Sequence, residues 1–156
     1  STAEYITLDK EIEILKFYLS LEKLRLNDML DYSIEIDKMV EPEMVFLPPM
    51  LTQPFIENAI EHGFCGINKT GCIKVLYRVN MNNLEIQITD NGKGISMTQA
   101  PKDPYKIHRP MAMQITKERL RFINKAKRTK LIFSVSDIVN EKKEIDGTRV
   151  IFSIPI

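Results

Sequence analysis

The stretch Asp90-Asn91-Gly92-Lys93-Gly94 stands between an alternating apolar and polar segment, Leu84 to Thr89, and a polar run with three prolines, Ser96 to Pro110. Alternation at period two predicts a strand that ends at Asp90. Glycines at 92 and 94 let the backbone approach a ligand or take positive φ, and Asp90 places a carboxylate at the base of that turn. Asp-Asn-Gly is also a good hairpin turn. However, no alternating partner strand follows Gly94. A dinucleotide fingerprint is disfavoured, because Met97 stands three after Gly94 and no helix starts there. An EF-hand calcium loop would need further oxygen ligands and a closing glutamate.

Toward the N-terminus, Ile73 to Val79 also alternates and predicts a hairpin with Leu84 to Thr89, turning around Asn82 and Asn83. The loop Gly63 to Gly71 precedes it. Before that loop, Pro48 and Pro49 open a helical run, Met50 to His62, with Leu51, Phe55, Ile56, Ala59 and Ile60 on one side and Gly63 as its stop. Pro54 is expected to bend this run or delay its regular part. Within it, Asn58 and His62 lie one turn apart, with Glu57 and Glu61 on a neighbouring stripe. A carboxamide at the inner edge of a helix costs free energy unless it is hydrogen-bonded or coordinates something, whereas Glu57 and Glu61 also suit a solvated face.

Further upstream, Tyr32, Ile34 and Ile36 alternate as a half-buried strand. Thr7 to Asn27 places Leu8, Ile12, Leu15, Leu19 and Leu26 at helical steps, widened by Ile14, Tyr18 and Leu21. Thr7 is its expected N-cap, and the wide face is expected to pack partly on another helix or subunit. Downstream, Ser96 to Pro110 is long for a loop in a compact domain and is expected to act as a lid. Met111 to Arg128 is again helical, and strands at Leu131 to Ser136 and Thr148 to Ile154 are joined by a turn through Asp146 and Gly147. This order predicts an α+β two-layer sandwich, with a mixed and mostly antiparallel sheet, helices on one face and an N-terminal amphipathic helix.

The 156 residues suffice for one hydrophobic core. Lysine plus arginine (22) nearly balances aspartate plus glutamate (21), which gives no whole-chain reason to expect a nucleic-acid or anionic-membrane partner. The basic residues from Lys117 to Lys130 are interleaved with core positions and interrupted by Glu118, so they read as a solvated helix face. Cys65 and Cys72 are too few for a disulfide framework and are expected as free thiols. No apolar run is long enough to span a bilayer. The chain starts at Ser1 without methionine and is expected to be part of a longer protein.

Three motifs in order carry a family resemblance. Leu51-Thr52-Gln53-Pro54-Phe55-Ile56-Glu57-Asn58-Ala59-Ile60-Glu61-His62-Gly63 resembles the N box of the Bergerat-type ATP-binding superfamily, which includes gyrase and the histidine kinases. Asp90 to Ile95 resembles its G1 box, and Gly147-Thr148 its last glycine motif. Thr116 to Leu120 is similar to the helix after the lid, and Thr7 through Glu11 to Arg25 to the segment joining the dimerisation helices to the catalytic domain. The likeness is greatest to LytS-type bacterial sensor histidine kinases. It implies a division into residues 1–28, the end of a dimerisation or linker region, and residues 29–156, the ATP-binding catalytic domain.

The resemblance also implies roles. Asn58 would give its side-chain oxygen to a magnesium ion that bridges the ATP phosphates. Asp90 would accept from the adenine amino group, which rejects guanine through its carbonyl. Gly92 and Gly94 would let the chain pass close to the nucleotide, Thr148 would hold the adenine end, and His62 would line the phosphate side. Lys93, Lys102, Lys106, His108 and Arg109 are candidates to meet phosphate charge. The phosphoryl group would pass to a histidine on upstream dimerisation helices and then to a response regulator, in a homodimeric sensor whose catalytic part is cytoplasmic and whose anchor lies in the inner membrane. His62 and His108, the chain's two histidines, do not lie on a dimerisation helix. One departure stands at the lid's end, where Pro110-Met111-Ala112-Met113 replaces a Gly-x-Gly box. A degenerate pseudokinase that binds nucleotide or a partner is the alternative. Pro54, one turn before Asn58, stands where a water-activating carboxylate would be wanted and argues against independent ATP hydrolysis.

Overall fold

The computed structural model describes residues 4–95 and 112–156. In chain order, β1 (Ile6–Thr7) leads into α1 (Leu8–Arg25), β2 (Leu30–Ile36), a 3₁₀ turn (Pro42–Met44) and β3 (Phe46–Leu47). Then follow α2 (Gln53–Asn58), continued by a π turn (Ala59–Gly63), β4 (Gly71–Asn80), β5 (Asn83–Asp90), α3 (Ala112–Lys127), β6 (Ile132–Val139) and β7 (Ile145–Pro155). Strands β1 and β3 form a small antiparallel ribbon, and the main sheet has the order β2-β4-β5-β7-β6. Only β2 and β4 run parallel in that sheet, so it is mixed and mostly antiparallel.

The register explains why one face of the sheet is apolar. Val75, Ile88 and Val150 lie side by side across three strands, as do Tyr77, Ile86 and Phe152. All six are buried, whereas Lys74 and Arg78, at alternate positions of β4, are exposed. On the apolar face lie Leu8, Ile12, Leu15 and Leu19 of α1, Phe55 and Ile56 of α2, and Leu120 and Ile123 of α3, in one core. The helices therefore cover one face, as the α+β reading requires. Rings of Phe55, Phe133 and Phe152 meet with centroids 5.6 to 5.8 Å apart, fastening α2 to β6 and β7.

α1 buries Leu8, Ile12, Leu15 and Leu19 and leaves Ile14 and Leu21 48% and 49% exposed, where a further helix or subunit could cover them. Several local expectations are corrected. Thr7 takes the N-cap position, but its hydroxyl makes no capping bond. The second helix starts at Gln53 rather than Met50, because Met50 has φ of 59°. Pro54 then falls in the first turn, where its missing N–H has no partner to lose, so of the two outcomes expected of it the delayed helix is the one found. The β4–β5 turn consists of Met81 and Asn82, since Asn83 already pairs with Asn80. Asp146 and Gly147 lie inside β7, with Gly147 opposite Ile138. The turn forms earlier, where Asn140 Oδ1 accepts the N–H groups of Lys142 and Glu144 at 3.0 Å each. The expected lid and the start of the third helical run lie outside the described residues. No described helix is long and apolar enough to cross a membrane.

Candidate functional site

Three glycine-bearing segments converge at the ends of β5 and β7. α2 widens into the π turn, where the Phe64 N–H bonds Ala59 O at 2.9 Å, five residues back. This turn carries Gly63 to the loop after β5: Lys93 N–H donates to Gly63 O at 3.0 Å, and Lys93 Nζ donates to Cys65 O at 3.3 Å. A Cβ on Gly92 would stand 2.7 Å from that same Gly63 oxygen, so only glycine fits. From the other side, Gly147 has φ of 143°, and a Cβ on it would overlap the Asp90 carbonyl oxygen. Gly94 has φ of 90°, and its Cβ would overlap Ile145 Cγ2.

Asp90 ends β5 directly opposite Thr148 of β7. Its Oδ1 accepts the Gly92 N–H at 2.8 Å. Burial pushes the carboxyl up to about 6; the Gly92 and Thr148 amides oppose the rise and the charge of Asp137 adds to it. Thr148 is buried beside it. Asn91 turns the other way: its Oδ1 accepts Cys72 N–H at 2.7 Å and its Nδ2 donates to Thr70 O at 3.0 Å. Asn91 therefore pins the loop to β4, while the Asp90 carboxylate is held by the Gly92 and Thr148 amides.

Asn58 closes α2, and its Oδ1 is buried with no hydrogen-bond partner among the described residues. A buried amide oxygen without a donor is costly, and a bound cation or its water would satisfy it. His62 is half-buried within the π turn. The structure thus gathers Asp90, Gly92, Lys93, Gly94 and Thr148 around one loop and docks the segment bearing Asn58 and His62 against it. Lys102, Lys106, His108, Arg109 and Pro110 lie outside the described residues. Ala112 packs partly buried against the core.

One residue of the site was not foreseen. Asp137 of β6 lies across from Thr148, and its Oδ1 accepts the Ile95 N–H at 2.7 Å, below the Gly94 turn. In the sequence it is one polar residue of an alternating strand, and only the pairing register brings it under the glycine loop.

This arrangement defines a class, since the fold is that of the histidine kinase catalytic domain. The catalytic domain of histidine kinase ThkA superposes with a TM-score of 0.63 at 14% identity, covering 97% of this chain and 94% of that one. ThkA in complex with the response regulator protein TrrA matches at 0.56 and 16% identity, over 97% of this chain and 41% of that one. In sequence, the chain is 29% identical over 152 residues to sensor histidine kinase YpdA of Escherichia coli, covering 97% of this chain and 25% of YpdA. It is 29% identical over 150 residues to sensor protein LytS of Staphylococcus epidermidis, covering 96% of this chain and 24% of LytS. No protein-family model matches. The chain is homologous to the LytS- and YpdA-type sensor histidine kinases over nearly its whole length, in their catalytic domain, and spans about a quarter of the length of these relatives.

Proposed function

We propose that this chain binds ATP and magnesium and positions the nucleotide for transfer of its γ-phosphoryl group to a histidine on the dimerisation helices of the same protein. The observation that carries this reading is the buried, unpartnered Oδ1 of Asn58, on a segment tied through Gly63 to the loop of Asp90. Asp90 and Thr148 would hold the adenine, with Gly92 and Gly94 giving the close approach. Asn58 would hold magnesium, with His62 and Lys93 on the phosphate side. Magnesium supplies neutralisation of phosphate charge. The chain's own part is orientation: a fixed carboxylate at the base and a fixed oxygen at the phosphates set the in-line geometry. Lys102, Lys106 and Arg109 are assigned to the lid on the sequence resemblance alone.

Residues 1–28 are assigned to the linker from the dimerisation helices, with the inner stripe of α1 docked on residues 29–156. The likeness to ThkA, a kinase solved with a response regulator, supports a response regulator as the downstream partner of a homodimeric sensor. The cytoplasmic side of the inner membrane is the place this role requires. Nucleic acid is not proposed as a partner. Two basic side chains of α3 are engaged within the fold, Arg119 on the Pro49 carbonyl and Lys127 over the Tyr5 ring at 5.2 Å.

The test is phosphotransfer by the protein with its dimerisation helices. With magnesium and γ-labelled ATP, acid-labile label on histidine is expected, and none in Asp90→Ala. The departure at Pro110 and Ala112 favours a second reading, a nucleotide-dependent interaction module. ATP binding without label on histidine would select it.

A further inference from the structure

Outside the nucleotide loops, the described residues hold a part-buried polar junction that joins three distant segments, with Glu11 buried and Met50 47% exposed. Glu11, on the inner face of α1, is 4% exposed. Its Oε1 accepts the Met50 N–H at 2.8 Å. From the opposite side Arg119 of α3 donates through Nη2 to Pro49 O at 2.6 Å and through Nη1 to Met50 O at 3.4 Å. Burial pushes the Glu11 carboxyl up, opposed by the Met50 N–H and then by the positive charge of Arg119. Met50 has φ of 59°, a left-handed conformation that is uncommon for a residue other than glycine. Here its N–H is held by α1 and its carbonyl by α3.

The held residue leads directly into α2. After Met50 come buried Leu51 and Thr52, and the Thr52 carbonyl accepts the N–H groups of Phe55 and Ile56 at 3.1 and 3.2 Å. α2 then ends at Asn58. Only Leu51 and Thr52, both buried and in bends, separate Met50 from the first residue of α2.

We propose that Glu11 and Arg119 are positioning residues for the metal side of the nucleotide site: together they fix the Pro49–Met50 backbone and so the helix that presents Asn58. This rests on the reading of Asn58 as the magnesium-facing residue. The clamp makes no contact with Asp90, so it acts on one end of the site and not the other. It also ties α1 and α3 to the same Pro49–Met50 peptide group, with Arg119 reaching the Met50 carbonyl besides.

The test compares Glu11→Ala, Arg119→Ala, their double variant, Glu11→Gln and Arg119→Lys, titrated with ATP in the presence and absence of magnesium. Outer-sphere supports of a metal site typically change affinity by 10-fold or more, so each alanine variant is expected to lose about tenfold in magnesium-dependent affinity. Binding without magnesium, which depends on Asp90, should stay within about twofold. The double variant should be no worse than the weaker single, because both act on one peptide segment. Glu11→Gln keeps the acceptor for Met50 N–H and should recover most of the loss, whereas Arg119→Lys loses the fork over two carbonyls and should not. If an alanine variant fails to fold, Arg119→Lys against Glu11→Gln carries the comparison. Amide spectra of the same variants without nucleotide supply a second readout, with shifts expected at Phe55 to Asn58 and not at Asp90 to Gly94. Equal losses with and without magnesium, additive losses, or shifts spread equally to the Asp90 loop would overturn the proposal. If the wild-type chain binds no nucleotide, the nucleotide reading fails by itself, and the spectra alone decide whether the clamp sets Asn58.

Discussion

The main-chain N–H of Lys93 donates to the carbonyl of Gly63 at 3.0 Å, joining the end of the helical segment that carries Asn58 to the loop that carries Asp90. Gly92 sits against the same oxygen, with 2.7 Å left for a Cβ. Gly92→Ala should therefore push the two segments apart. It is expected to cost about 2 kcal/mol of stability, within the usual range for overpacking, and to weaken ATP binding. Gly66→Ala is the control: its φ is 80° but nothing lies within 4 Å of the new methyl group, so about 1 kcal/mol of backbone strain is expected, with ATP binding kept. Denaturant melts and nucleotide titration of both variants check this.

The pH behaviour of Asp90 follows from its burial. Its carboxyl is raised from 3.8 to about 6, so the folded chain holds that proton more tightly than the unfolded chain does. Stability from this group is therefore highest below pH of about 4 and falls as pH rises to about 6, by at most about 3 kcal/mol. Asp90→Asn removes the penalty. The variant should be more stable than wild type above pH of about 6, with the advantage gone below about 4, as read by melts across pH. ATP affinity should show the reverse dependence, rising in wild type as Asp90 ionises and staying flat and weak in the variant.

Asn58→Ala separates a structural from a binding role. Its oxygen has no partner to lose, so truncation should change the stability of the nucleotide-free chain by no more than about 1 kcal/mol. The stabilisation that magnesium adds to ATP in a thermal shift should disappear. A large loss of stability without ligand would mean that Asn58 serves the fold.

Asn91→Ala should behave in the opposite way. It removes the acceptor for Cys72 N–H and the donor for Thr70 O, both in half-buried surroundings. A loss of about 2 kcal/mol is expected, from two hydrogen bonds of about 1 kcal/mol each, measured by denaturant unfolding.

Much of this architecture was legible in the sequence, because period-two alternation in β4, β5 and β7 marks one apolar face directly, and glycine at 92 and 94 marks a place of close approach. Asn58 and Asp90 were singled out chiefly by the resemblance of their stretches to the N box and the G1 box, because a carboxamide near a helix end is by itself a weak signal. What was hidden depends on pairing across the chain. The turn at Asn140 competes with Asp146-Gly147, and both have good turn chemistry; the register with Ile138 decides between them. The helix start at Gln53 follows from the left-handed Met50, which Glu11 and Arg119 hold from 39 and 69 residues away. Ile14 and Leu21 widen the helix pattern but stay exposed, since periodicity shows where an apolar stripe lies and not whether a neighbour covers it.

In the proposed site Asp90 selects adenine at one end while Asn58 holds magnesium at the other. Calorimetric titration of the chain with ATP and GTP, with and without magnesium, beside Asp90→Ala and Asn58→Ala, tests this most directly. Binding of ATP and not GTP is expected, strengthened by magnesium, abolished by Asp90→Ala, and stripped of its magnesium dependence by Asn58→Ala. A folded chain that binds no ATP at millimolar concentration, or binds ATP and GTP alike, would contradict it.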